Sequence, residues 1–294
     1  MRIFQRIHQK LNWSGRQYFG LIMGMLALGY LSSALYHMYK PLPEGLDFTG
    51  KLRHAEVKFI ADSTYLDAKG QQQQQHHIFN EMLSLIDQAQ TTIVVDMFLF
   101  NQALGESKIQ HDALTQKLTD ALVQKRKFNP QIEIKFITDP INSVYGGVAP
   151  DHYRALRQVG IEVIETDLTP LRASNPLWSG LWYLCCQGIP NNPEKGWLPN
   201  PFGEEKITLR SYLSLFNFKA NHRKTMVVDS PEGWKALVTS MNPHDGSSRH
   251  SNVALIVNGH TAIDVLKTEQ AVSLMSKGSV PGIVAGEFEG AKTL

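Results

Sequence analysis

The sequence carries little excess charge. Its 29 Lys and Arg residues are nearly matched by 27 Asp and Glu residues, which leaves a formal net charge of +2 over 294 residues. A chain this close to neutral lacks the broad positive field that attracts nucleic acid, so nucleic acid is not expected as a partner. The length allows one large domain or two modest ones.

Cysteine is almost absent. The two cysteines, Cys185 and Cys186, are adjacent in the chain. A disulfide between neighbouring residues is strained, so the sequence favours two buried or interfacial thiols, with a lipid-acylated pair as the alternative. No group of Cys and His residues has the spacing of a zinc site. We therefore expect neither a metal nor another cofactor.

Acidic residues are missing before Glu44, although the first 17 residues are rich in Lys and Arg. This basic tail, residues 1–17, precedes residues 18–38, which carry no Asp, Glu, Lys or Arg and are long enough to cross a bilayer as one helix. The basic flank predicts a cytoplasmic N-terminus in the cell inner membrane, with a linker over 39–54 and an extracytoplasmic domain over 55–294. A cleaved signal peptide is the alternative.

The domain that follows alternates strand and helix patterns. This alternation predicts an α/β sandwich with a central mixed sheet, preceded by the one transmembrane helix. The predicted strands are 57–61, 92–100, 132–138 and 161–165, and the predicted helices are 78–90, 107–127 and 151–159.

Two segments interrupt this alternation. Gln71 to Gln75 is a polar tract that predicts a surface loop. Residues 168–206 combine many prolines with tryptophan, tyrosine and leucine. Long segments of this kind are usually functional or disordered, and the aromatic content disfavours disorder. An acyl-chain lid or a membrane-dipping surface is one interpretation, and a packed insertion is the other.

The most informative run places His222 and Lys224 two residues apart, with Asp229 five residues later. In a strand, residues two apart project from the same face at about 7 Å spacing, so both side chains can reach one phosphate. A neutral imidazole is a competent nucleophile toward phosphorus, and an ammonium neutralises the phosphate oxygens. A predicted hairpin returns Ser240 and Asn242 beside this strand as neutral donors, so we expect one cluster.

The run His-x-Lys-x4-Asp followed by Ser-x-Asn resembles the signature of the phospholipase D superfamily, except that Thr239 replaces the usual small Gly before the Ser. The resemblance covers roughly residues 55–275 and implies a phospholipase D-like fold and phosphodiester chemistry without a metal. Carried onto this sequence, it implies three catalytic residues and a substrate-binding pair. The catalytic residues are His222 as nucleophile, Lys224 as phosphate clamp and Asp229 as the acidic member, and the pair is Ser240 and Asn242.

The family normally brings two such motifs together, and this sequence contains one. Three explanations of the single motif remain open. The chain is the first half of a two-motif protein, or it forms a homodimer that brings two copies of His222 together, or it is an inactive remnant. Its resemblance to bacterial phospholipase D and cardiolipin synthase-like proteins implies a membrane-anchored phosphodiesterase or phosphatidyltransferase whose partners are a phospholipid substrate and the membrane. The alternatives are a homodimeric endonuclease of the same superfamily and a non-catalytic, membrane-tethered binding module.

Overall fold

A computed structural model describes residues 13–104 and 111–279. The chain forms two compact units. The anchor unit contains Met1–Pro41, Arg172–Pro190 and Phe216–Lys219, and the sheet unit contains Leu42–Leu171, Asn191–Leu215 and Ala220–Leu294. Two stretches from within the predicted 55–294 domain thus belong to the unit of the N-terminal helix. Most of the predicted basic tail lies outside the described residues.

The regular elements follow the predicted alternation. In chain order they are α1 Gly15–Tyr39, β1 Val57–Asp62, β2 Thr64–Leu66, β3 Gln72–Gln74, α2 His77–Gln88, β4 Thr92–Met97, α3 Leu114–Phe128, β5 Glu133–Thr138, α4 Asp151–Gln158, β6 Glu162–Glu165, α5 Pro176–Cys185, α6 Leu209–Leu215, β7 Lys224–Ser230, β8 Gly233–Thr239, β9 Asn252–Asn258 and α7 Gly259–Met275.

A seven-stranded mixed sheet organises the sheet unit. Its strand order is β1-β9-β8-β7-β4-β5-β6. Strands β4, β5 and β6 run parallel, whereas β7 runs antiparallel to β4 and forms a hairpin with β8. The carboxyl ends of β4, β5 and β6 therefore lie at the same edge as the beginning of β7. This is the edge where open α/β sheets gather their functional side chains.

Apolar side chains cover both faces of this sheet. On one face, Phe79, Leu118 and Leu156 from α2, α3 and α4 join a core with Met226. On the other face, Leu266 of α7 packs in a second cluster against strand residues of the sheet. The central strand β4 is buried along its whole length. These layers confirm the predicted α/β sandwich with a central mixed sheet.

Helix α1 dominates the anchor unit. It is long enough and apolar enough to cross a membrane, and its side chains are largely exposed. The predicted segment 18–38 lies within it. By length and composition, the helix fits the predicted span.

Several local predictions need correction. The glutamine tract is not a loop, because β3 pairs with β2 in an antiparallel ribbon. The strand predicted over 92–100 ends at Met97, where the polar site begins. The helix predicted over 107–127 is observed as α3, and residues 105–110 lie outside the described residues. Cys185 and Cys186 are joined by a disulfide. The prediction of two free thiols, which rested on the strain of a disulfide between adjacent residues, is therefore wrong.

Candidate active site

The side chains of His222 and Lys224 meet at the beginning of β7, as their spacing predicts. His222 is exposed, and its ring packs against Phe98 with 4.4 Å between ring centroids. Lys224 is only 7% exposed. Its Nζ lies 3.4 Å from each ring nitrogen of His222 and 5.0 Å from the Phe98 centroid. The arrangement presents an imidazole to solvent with an ammonium directly beneath it.

The environment favours a neutral imidazole. Partial burial, followed by the charge of Lys224, lowers the pKa of His222. Burial also lowers the pKa of Lys224, while the nearby Asp96 opposes that change. Within the described residues no carboxylate lies within 4 Å of Lys224 Nζ. A buried cation without a salt-bridge partner beside a neutral nucleophile suits an anionic ligand such as a phosphate.

Asn221, immediately before the histidine, connects β7 to three other strands. Its Nδ2 donates to both carboxyl oxygens of Asp96 on β4 at 2.9 Å, and to Thr166 Oγ1 beyond β6 at 2.9 Å. Its backbone N–H donates to Asp139 Oδ2, just beyond β5, at 2.6 Å. All four residues are buried. The backbone that carries His222 is thereby held by the ends of the parallel strands.

Asp96 also contacts a second buried acid, Glu269 of α7. The two carboxyl groups are in hydrogen-bonding contact, and burial together with Glu269 raises the pKa of Asp96 well above its usual range. Glu269 Oε1 accepts from Arg223 Nη1 at 3.1 Å and from Thr225 Oγ1 at 2.9 Å. No N–H or hydroxyl donor of the described residues reaches Oε2. The raised pKa favours the protonated form of Asp96, which can donate to a neighbouring carboxylate.

A loop after β5 positions the ring that supports His222. Asn142 Nδ2 donates to the carbonyl oxygen of Phe98 at 2.7 Å, and its Oδ1 accepts from the backbone N–H of Phe100 at 2.9 Å. Asn142 is 4% exposed, so these bonds are shielded from water. Its contacts assign it to holding the segment that ends β4.

The other predicted site residues are not all in the cluster. Asn242 Oδ1 accepts from the backbone N–H of Leu99, next to Phe98, so Asn242 reaches the same strand end. Ser240 instead donates to Asn252 Oδ1 and accepts from the N–H of Val253, both on the neighbouring strand β9. Both residues follow the end of β8, which lies beside the beginning of β7, but the side chain of Asn242 bonds the segment that ends β4, whereas that of Ser240 bonds β9.

Asp229 lies at the opposite end of β7 from His222. Its carboxylate accepts hydrogen bonds from the backbone N–H groups of Gln90, Thr91 and Thr92, at 3.2, 2.9 and 2.8 Å respectively. The Thr91 hydroxyl donates to it as well, at 2.7 Å. These bonds join the end of β7 to the start of β4. The Asp229 carboxylate therefore bonds residues at the far end of β7 from His222.

Three contributors were missed by the sequence reasoning. Asn221 adjoins the motif but is not part of it, and Asp96 and Glu269 come from distant segments. One signal was available: Asp96 is a lone acid within the apolar run of β4. No group of three or more His, Cys, Asp or Glu residues in the described parts of the chain is placed to hold a metal ion.

Comparisons with known proteins give structural likeness only. No protein-family profile matches the chain, and no curated protein sequence does. Nuc from Salmonella typhimurium, a phospholipase D family member, is 14% identical with a TM-score of 0.40, covering 76% of this chain and 96% of that one. NucT from Helicobacter pylori is 12% identical with a TM-score of 0.35, covering 75% and 98%. Polyphosphate kinase from Porphyromonas gingivalis is 10% identical with a TM-score of 0.37, covering 78% and 27%.

We predict that Asp229→Ala mainly lowers stability. The substitution leaves the backbone N–H groups of Thr91 and Thr92 without the carboxylate, whereas the Gln90 N–H keeps the carbonyl oxygen of residue 229, so the free energy of unfolding should fall by about 1–3 kcal/mol. Urea unfolding of the detergent-solubilised chain measures this loss. Asp151→Asn is the matched control, because the Asp151 side chain is 88% exposed and its replacement should change stability by less than about 0.5 kcal/mol. Equal effects of the two substitutions would contradict the role of Asp229 in joining the end of β7 to the start of β4.

Asp139 should make stability depend on pH. Burial raises the pKa of Asp139 to about 7, far above its usual value. The folded state therefore retains a proton that the unfolded state releases, so this stabilising contribution is present near pH 4 and is lost as pH rises to 7. Relative to Asp139→Asn, the unfolding free energy of the parent chain should fall by up to about 4 kcal/mol across that window. Parallel pH profiles of the two proteins would refute the assignment.

Proposed function

We propose that this chain is a membrane-anchored member of the phospholipase D superfamily that cleaves a phosphodiester through a phosphohistidine at His222. The observation that carries the proposal is the exposed imidazole of His222 beside the nearly buried ammonium of Lys224, which has no carboxylate partner in the described parts of the chain. A phosphate supplies the missing negative charge. It also brings its phosphorus atom within reach of the ring.

The reaction follows from these positions. A ring nitrogen of His222 attacks phosphorus while the P–O bond to the leaving group breaks, and the departing oxygen takes a proton from a general acid. Lys224 neutralises the charge on the non-bridging oxygens, and the amide of Asn242 offers a neutral donor at the same strand end. Water or an alcohol then attacks phosphorus, gives its proton to the same group, which now acts as a general base, and breaks the N–P bond to release His222. Attack by water is hydrolysis, and attack by an alcohol is phosphatidyl transfer.

The general acid in this scheme is a second histidine. The sequence holds one His-x-Lys-x4-Asp motif, so a second copy of the chain supplies its own His222 across a twofold axis. The exposure of His222 supports this arrangement, because a partner must reach the phosphate from the open side. A homodimer is therefore the catalytic form that we propose.

A phospholipid is the substrate class that the anchor favours. Helix α1 keeps the chain at a bilayer, where phospholipid phosphodiesters are abundant. The basic residues before α1 favour a cytoplasmic N-terminus, which places the sheet unit outside the cytoplasm at the inner membrane. The Cys185–Cys186 disulfide supports that location, since disulfides are typical of oxidising compartments.

His222→Asn and Lys224→Ala should fail in different ways. His222→Asn removes the nucleophile, so turnover of a phosphatidylcholine substrate and any acid-labile, base-stable phosphoryl label on the protein should both disappear. Lys224→Ala keeps the nucleophile but should cost about 3 kcal/mol of transition-state stabilisation, roughly a hundredfold in rate. His260→Asn is the control, because His260 is exposed at the start of α7. A phosphoryl label that persists in His222→Asn would contradict the assignment of the phosphohistidine to His222.

The dimer makes a separate prediction about mixtures. When excess His222→Asn chain is mixed with the parent chain under exchanging conditions, mixed pairs contain one competent histidine and activity per parent chain should fall. Excess His260→Asn chain should not produce this loss. Steady-state rates are also measured over a dilution series in detergent, in which the specific activity should fall as the dimer dissociates. Constant specific activity in a particle shown to be monomeric would contradict the two-histidine site.

A further inference from the structure

The anchor unit contains a second apolar segment besides α1. Between Arg172 and Glu194 the chain carries no Asp, Glu, Lys or Arg. This stretch includes α5, which has two tryptophans and three leucines among its ten residues. A charge-free stretch of this length is unusual for a helix in water.

Helix α5 packs tightly against the last turns of α1. A Cβ atom on Gly180 would lie 2.8 Å from the Cβ of Ala34, so glycine is what permits this approach. The Ser33 hydroxyl donates to the carbonyl oxygen of Gly180 at 3.0 Å, and the Tyr30 hydroxyl donates to that of Leu177 at 3.0 Å. Close approach at small residues, supported by interhelical hydrogen bonds, is how helices associate within lipid.

The outward face of α5 is apolar. Leu177, Leu181 and Leu184 follow one another at helical spacing and are 68%, 44% and 59% exposed. An amphipathic helix at the surface of a soluble protein turns charged or polar residues to this side. The leucine stripe instead continues the exposed apolar surface of α1.

Both ends of this segment lie at the same end of α1. Before α5, Arg172 Nε donates to the carbonyl oxygen of Lys40, and the Ala173 N–H donates to that of His37. At the other end of α5, the Tyr183 ring stacks on His37 at 3.6 Å. The chain therefore runs from the level of His37 toward the N-terminal end of α1, turns at the start of α5, and returns along α1 to the level of His37.

The depth of this excursion follows from the pairing of the two helices. Leu177 meets Tyr30 and Tyr183 meets His37, so the contact spans seven residues of α1. At 1.5 Å per residue this is about 10 Å, well short of the roughly 30 Å needed to cross a bilayer core. The segment is long enough to enter one leaflet and return.

Polar side chains near the start of α5 have hydrogen-bond partners within the anchor unit. Asn175 Nδ2 donates to the carbonyl oxygen of Phe216 at 2.9 Å. The Ser179 hydroxyl donates to Asn217 Oδ1 at 2.9 Å, and both of these residues are buried. Non-helical backbone and polar side chains are tolerated at membrane depth when protein provides their partners.

The upper boundary carries the residues typical of a membrane interface. The ring of Tyr183 lies 5.6 Å from Lys40 Nζ and 5.2 Å from Lys219 Nζ. Aromatic and basic side chains concentrate where lipid headgroups meet water. This level therefore marks the bilayer surface, with α5 on its lipid side.

We propose that residues 173–185 form a re-entrant segment that lies in the same bilayer leaflet as the C-terminal end of α1. Leu177, Leu181 and Leu184 contact the acyl chains of membrane phospholipids. The proposal rests on the membrane-anchoring part of the proposed function and is independent of the chemistry at His222. It assigns this part of the proline- and tryptophan-rich stretch 168–206 to the lipid phase.

Depth measurements on the full chain test this assignment. Leu181→Cys is labelled with an environment-sensitive maleimide fluorophore without reductant, since both native cysteines are held in the disulfide. The labelled chain is reconstituted into phosphatidylcholine vesicles containing nitroxide-labelled acyl chains. The comparison variants are Leu28→Cys on α1 and Leu66→Cys on β2, whose native side chains are 67% and 70% exposed. The unsubstituted chain is the labelling blank.

Fluorescence at positions 28 and 181 should shift to the blue and be strongly quenched, whereas fluorescence at position 66 should not. Leu177→Cys and Leu184→Cys add a graded readout: a nitroxide near the chain end should quench position 177 more, and one near the headgroup should quench position 184 more. Quenching at 28 with none at 177, 181 and 184 would overturn the re-entrant segment while leaving the anchor intact. Absence of quenching at all of these positions would overturn both.

Discussion

The hydrogen bonds of Asn221 are the interactions on which the candidate site depends. Its side chain and backbone N–H reach Asp96, Asp139 and Thr166, which belong to the ends of three parallel strands. His222 is the next residue, so its position follows directly from where those strands end. Pairing with β4 supports the beginning of β7 as far as Arg223, whose carbonyl oxygen accepts from the Phe98 N–H, and the bonds of Asn221 extend that support to the other side of His222.

The same junction bears on the charge around Lys224. Burial raises the pKa of Asp96 well above its usual range and that of Asp139 to about 7, so each holds a proton more readily than an exposed carboxyl group does. Glu269 forms an ion pair with Arg223 at 3.1 Å. In the described parts of the chain, no carboxylate forms a salt bridge with the ammonium of Lys224. A buried ammonium in these surroundings suits an anionic ligand.

The sequence predicted those features that depend on local spacing. Alternation along β7 was enough to bring His222 and Lys224 together, and the turn before Gly233 correctly predicted the β7–β8 hairpin. Features that depend on distant segments were not predictable. The pairing of Asp96 with Glu269 joins residues far apart in the chain, and no periodicity encodes it. The bonds of the Ser240 hydroxyl to β9 were not predictable either, because no local spacing shows that β9 lies beside β8.

The position of Asp229 changes what the His-x-Lys-x4-Asp spacing measures. His222 and Lys224 lie at one end of β7 and the aspartate at the other, with the buried Met226, Val227 and Val228 between them. The number of intervening residues therefore reflects the length of β7, which is set by how many residues the strand needs to pass through the core. The two ends of the motif therefore have separable roles in the structure. The aspartate joins the end of β7 to the start of β4, and a substitution at His222 leaves that junction unchanged.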